Sequence, residues 1–168
     1  MGFPDDLLGQ AEHLAKLDRK RPKQASLRRA ISAAYYALFH RLISEASWLP
    51  VKDYQVASCI ARAPSHAKMN EVSKLFANGK LPKAFGSVAS RFPVKSELKQ
   101  VAQAFVDLQQ ARHDADYDLA KNFRRGETIA FVERVRQAFR DWDAVRKERV
   151  ASIYLACLLI GKDLDRGR

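Results

Sequence analysis

Cysteine is almost missing from this 168-residue chain: only Cys59 and Cys157 occur, far apart and with no second Cys or His at metal-ligand spacing. That excludes a disulfide framework and a tetrahedral zinc site, and it fits a reducing cytosol. Long apolar runs are missing too. The most apolar stretch, "VASIYLACLLI", has eleven residues against the roughly 20 that a spanning helix needs, so no membrane segment is expected. The opening "MGFPDDLLGQ" has no basic-then-apolar targeting pattern, and Asp6 stands where a myristoylation motif wants Ser or Thr. Glycine and proline are scarce, at seven and six, while Ala, Leu, Arg, Lys, Gln and Glu abound; the composition therefore favours helices over sheet. There is no glycine-rich phosphate loop and no nucleophile elbow, which removes the common nucleotide-binding and hydrolase folds.

Acidic residues are the last deficit. Nineteen Asp and Glu against thirty Lys and Arg leave a net charge of +11, which draws a protein toward polyanions and makes nucleic acid a natural partner. The densest basic stretch is "DRKRPKQASLRR", with Arg19, Lys20, Arg21 and Lys23 followed by Arg28 and Arg29.

The length suits one domain spanning residues 1–168. After Pro4, "DDLLGQAEHLAKL" spaces Leu7, Ala11 and Leu14 at helical intervals, with Asp5 and Asp6 in the favourable first turn. From Gln24, "QASLRRAISAAYYALFHRLISEASWL" is apolar on two sides, the mark of a central helix, and its alanines let neighbours approach closely. Two short helices follow, the second starting after Pro64 and stopped by Asn78 and Gly79. "KLPKAFGSVASRFPV" reads as a loop with one helical turn, where mobility is expected. A long helix over 95–119 carries Val101, Phe105, Leu108, Ala115 and Leu119 on its stripe, and a last one over 127–160 is expected to bend or break at 146–150. Asp143 and Lys147 stand in favourable i,i+4 order in the charged stretch "RDWDAVRKER" that holds this break. Four main helices with short connectors predict an all-α, antiparallel up-and-down bundle.

One stretch breaks the pattern. In "QQARHDADYDLA", Arg112 takes a position on the Leu108 and Ala115 line that an apolar side chain should hold, with His113, Asp114, Asp116 and Tyr117 close by. Arg112 and Asp116 share one face four residues apart; His113 and Tyr117 share the next. The cluster reads either as an ion pair at the rim of the core or as a cationic pocket in which Arg112 binds phosphate and His113, Asp116 or Tyr117 assists. His13 and His40 sit within helical stripes, and no group completes a metal motif.

"LRRAISAAYYALFHRLI" and "ARHDADYDLA" together resemble the HEPN superfamily of small helical bundles, in particular the branch with an "AYYALFH" helix and a later "RxxADY" signature. Tyr35, Tyr36, Phe39 and His40 match the first motif, His66 in "SH" a smaller intermediate one, and Arg112, Ala115, Asp116 and Tyr117 the second. The resemblance implies a homodimer that brings two polar motifs to one cleft, without cofactor or metal. Its members include metal-independent ribonucleases of toxin-antitoxin and defence systems, and partners of small nucleotidyltransferases. In nuclease members four to six residues separate the Arg from a following His; counted from Arg112, those positions are Tyr117, Asp118 and Leu119, and the nearby histidine is the adjacent His113. A phenol with pKa near 10 does not shuttle protons at neutral pH as imidazole does. The expectation is therefore a cytoplasmic module that binds RNA or a nucleotide phosphate through Arg112 and the Arg19 to Arg29 segment. A ribonuclease toxin using Arg112 with His113, Asp116 and Tyr117, and a docking partner of a nucleotidyltransferase, are its rivals.

Overall fold

The computed structural model describes residues 2–18, 20–50, 52–62 and 64–161. Among them the chain is all-helical, with no strand. In order come α1 (Phe3–Lys16), α2 (Gln24–Trp48), α3 (Tyr54–Ile60), α4 (His66–Ala77), α5 (Ser96–Tyr117), α6 (Arg125–Val145) and α7 (Arg149–Ile160), with two 3-10 turns at Lys83–Phe85 and Ala89–Arg91. No helix of the described residues is long and apolar enough to cross a membrane. The chain forms two compact units, one from Met1–His40 and Ala104–Phe139, the other from Arg41–Gln103 and Arg140–Arg168.

In the first unit, α1 starts where Pro4 and two acids favour a first turn, and the Gly2 amide donates to Asp5 Oδ2 at 2.9 Å. It buries Leu8, Ala11 and Ala15. Between α1 and α2, Asp18 adopts a positive φ of 39° and turns its carboxylate onto the start of α2. It accepts from Ser26 Oγ at 2.8 Å and from the Lys23 amide at 3.4 Å, which holds its pKa below the usual value. Gln24 then binds the backbone of Phe123 in both directions, donating to its carbonyl at 2.8 Å and accepting from its amide at 2.9 Å. Leu27, Ile31, Ala111, Ala115 and Phe123 close a core against which Phe131 packs. The two-sided burial expected for α2 holds: Ala30, Ala33, Ala34, Tyr35, Ala37 and Leu38 are all buried.

In the second unit, α4 and α7 pack together. Phe76 meets Tyr154 with ring centroids 4.8 Å apart, and Ser73 Oγ shares a buried hydrogen bond with Tyr154 OH at 2.8 Å. Gly79, at φ +71°, ends α4 in a left-handed cap: its amide reaches the Phe76 carbonyl and the Lys80 amide reaches that of Leu75, each at 2.9 Å. The last helical pattern does break, at 146–148, between α6 and α7. The expected Asp143 and Lys147 pair does not form. Asp143 instead takes Arg41 Nη2 at 2.5 Å and Arg146 at 3.8 Å.

The helix expected over 95–119 ends at Tyr117, and Leu119 is 88% exposed rather than on the apolar stripe. The cause is local. Asp118 Oδ1 accepts from the amides of Ala120 and Lys121 at 3.0 and 3.2 Å, a side-chain turn that competes with another helical turn.

Candidate functional site

Arg112 stands near the end of α5 beside Ala111, and the alanine takes the buried place while the arginine keeps about a fifth of its side chain exposed. Its guanidinium is held on several sides. Nη2 donates to Tyr36 OH at 3.1 Å. Nε lies 2.7 Å from Asp116 Oδ2 without hydrogen-bond alignment, so this contact is an ion pair rather than a directed hydrogen bond. The rings of Tyr36 and Tyr117 flank it, each centroid 5.6 Å from the guanidinium carbon. Asp116 is itself fixed by Ser32 Oγ, which donates to Oδ1 at 2.7 Å. Burial weighs against the charge on Arg112, but Tyr36 and Asp116 outweigh it and the net shift is upward. Among the described residues no partner engages Nη1.

This group opens into a cleft of about 430 Å³ lined by Arg28, Arg29, Ser32, Tyr36, Arg112, Asp116 and Tyr117. Three guanidinium groups against one carboxylate leave two positive charges there. No histidine lines it. The chemistry on offer is recognition of an anion by a rigid planar donor, with aromatic rings beside it.

Arg28 has a second task. Its Nη1 donates to the carbonyl of Ala115 at 2.7 Å and approaches that of Asp114 at 3.4 Å, while Nη2 donates to those of Asp118 and Lys121 at 2.9 and 2.5 Å. One side chain thus satisfies several carbonyls left open where α5 ends. Its guanidinium also lies 5.5 Å from the Phe123 ring centroid. Asp114 supports the same corner by binding Lys121 Nζ and Gln110 Nε2 at 2.8 and 2.7 Å. The Lys121 contact holds the Asp114 carboxyl below its usual range.

Of the other basic residues, Lys20, Arg21, Lys23 and Arg29 are exposed, and Lys23 pairs loosely with Asp18 at 3.8 Å. Arg19 lies outside the described residues. Among the described residues of this segment, Arg28 and Arg29 share the cleft with Arg112. Tyr35 is fully buried against Phe105 and Phe39, and burial pushes its phenol pKa far up. His40 is half-buried among Phe3, Phe39 and Tyr36, with centroids at 5.0, 5.2 and 6.2 Å, and burial pulls its pKa down. His66 opens α4 behind the Ser65 cap, in the other unit. His113 is exposed, its ring 5.2 Å from that of Tyr117 and its Nδ1 4.0 Å from Asp114.

The sequence reading missed Ser32. A hydroxyl four residues before Tyr36, inside a run of alanines and aliphatics, was its signal. No family model matches this chain, and no curated protein or solved structure matches it at a significant level.

Proposed function

We propose that this chain is a HEPN-like module that binds single-stranded RNA by a backbone phosphate held at Arg112. One observation carries the reading: a permanently charged guanidinium, clamped by Tyr36, Asp116 and Tyr117, keeps Nη1 without a described partner beside a cleft of net positive charge. The clamp fixes the donor plane before the ligand arrives, which lowers the ordering cost of binding. Tyr36 and Tyr117 offer aromatic faces on which an unpaired base stacks, with a tolerance for sequence typical of single-strand binders. In this reading the long helices run up and down as in the HEPN bundle, and two copies pair to place two such clefts together.

Binding is favoured over cleavage by the place of the histidines. Attack by a ribose 2′-hydroxyl needs a proton acceptor that works near neutral pH. His113 is exposed and outside the cleft lining, and His40, half-buried against aromatic rings, lies outside that lining too.

The test is retention of labelled single-stranded RNA in EDTA by the native chain and by Arg112→Ala. The variant is expected to lose about tenfold or more in affinity, the worth of one charge-assisted contact, with intact RNA recovered from both. Arg112-dependent cleavage would replace the binding reading with a metal-independent ribonuclease. Unchanged retention in the variant would remove Arg112 from the site.

A further inference from the structure

A second cleft, of about 450 Å³, lies within the other unit, where the segment before α5 meets the junction of α6 and α7. Arg91, Phe92, Lys95, Lys147, Glu148 and Arg149 line it. Four cations face one carboxylate, and that carboxylate is already engaged, since Lys95 Nζ donates to Glu148 Oε1 at 2.8 Å. Donating this hydrogen bond to Glu148 also raises the Lys95 pKa. Arg91, Lys147 and Arg149 have no carboxylate partner among the described residues, although the chain elsewhere pairs Arg41, Arg134, Arg136 and Arg146 with acids. Lys147 stands apart even from Asp143, its natural i,i+4 neighbour, which Arg41 occupies. Unpaired like charges that converge on one concavity repel each other, and a ligand that brings negative charge relieves this. Phe92 adds an aromatic face, with the Arg91 guanidinium 5.7 Å from its centroid. Cations spaced around an aromatic are what a single-stranded backbone uses, its phosphates on the charges and a base on the ring.

We infer that this cleft is a second RNA-binding site, one that grips the phosphodiester backbone through Arg91, Lys147 and Arg149 with a base against Phe92. The inference rests on the proposal that the chain binds RNA, yet it concerns residues that the Arg112 cleft does not use.

The experiment compares the native chain, Arg112→Ala, and the double variant Arg91→Ser with Arg149→Ser, titrating a labelled single-stranded RNA over a range of salt. Each phosphate contact on a single strand contributes about 0.7 to the slope of log affinity against log salt, so losing two is expected to lower the slope by about 1.4. Both substituted residues are exposed, and an unchanged melting temperature is the control. On the native chain, ultraviolet crosslinking is expected to attach RNA to the peptide that holds Phe92, a readout independent of any variant. An unchanged slope in the double variant, or no crosslink at Phe92, overturns the inference even where Arg112→Ala weakens binding. A lowered slope in the double variant with Arg112→Ala unaffected upholds it and removes Arg112 from the RNA site instead. Failure of the native chain to retain RNA defeats both. Displacement of the crosslink by an equimolar mononucleotide would show a small phosphate ligand in place of a strand, and would also overturn it.

Discussion

At the scale of single residues, Arg28 and Arg112 differ in what their donors face. Arg28 points four N–H contacts at carbonyls around the end of α5, so it stabilises the corner that carries the cleft. Arg28→Ala is expected to cost about 2 kcal/mol, and Arg28→Lys to recover little, because an ammonium cannot reach several carbonyls with one planar fork. Urea denaturation checks both, and a lysine variant of native stability would contradict the capping role. Tyr154 gives a matched case in the second unit. Ser73→Ala removes the partner of a fully buried phenol and is expected to cost about 1 to 3 kcal/mol; adding Tyr154→Phe should return part of that loss, since both unsatisfied groups are then gone. His40 supplies a dependence on pH. Its folded pKa lies below the ordinary 6.5, so the unfolded chain takes up the proton first. The stability that His40 confers is complete above about pH 6.5 and is lost as pH falls through the folded value. Between pH 7 and pH 5.5 the melting temperature should drop in the native chain and stay flat in His40→Phe.

At the scale of elements, helix ends explain most of where the site lies. α5 stops at Tyr117 because Asp118 turns the chain and Arg28 accepts the task of capping, and that stop places Asp116 and Tyr117 at an edge instead of inside a longer helix. α4 ends on a residue with positive φ, where a side chain is strained. Gly79→Ala is expected to destabilise the second unit by about 1 kcal/mol; its Cβ would also stand 2.9 Å from Lys99 Cε. Circular dichroism under thermal melting measures it, and an unchanged transition would show that the cap carries no strain. Much of this was legible in the sequence. The break at 146–148, the double-sided burial of α2 and the stop at Asn78 and Gly79 follow from local pattern and turn chemistry. Leu119 was misplaced because periodicity continues past the helix end, which the Asp118 side-chain turn sets and the carbonyl contact from Arg28, 90 positions away, reinforces. The Asp143 and Lys147 pair failed for the same kind of reason: Arg41, from another helix, offers Asp143 a better partner.

At the scale of the whole molecule, the excess of eleven positive charges is distributed in a way that composition cannot show. The Arg112 cleft mixes three arginines with a fixed aspartate, whereas Lys20 and Arg21 are exposed and belong to neither cleft. Motif spacing singled out Arg112, Asp116, Tyr36 and Tyr117, and the fold does bring them together. It could not show that Ser32, one turn before Tyr36, orients the Asp116 carboxylate, because that contact joins two helices. Nor could it separate His113 from the cleft, since adjacency along a helix says little about which cavity a side chain lines. Association through both clefts would be strongly salt-dependent, whereas stability, resting on apolar cores and capped helix ends, would change little over the same range. The most direct measurement is therefore RNA retention by the native chain and Arg112→Ala in EDTA at about 50 mM and about 200 mM salt. The expected result is salt-sensitive binding of intact RNA that falls about tenfold or more in the variant. Equal retention by the two proteins at both concentrations would contradict it.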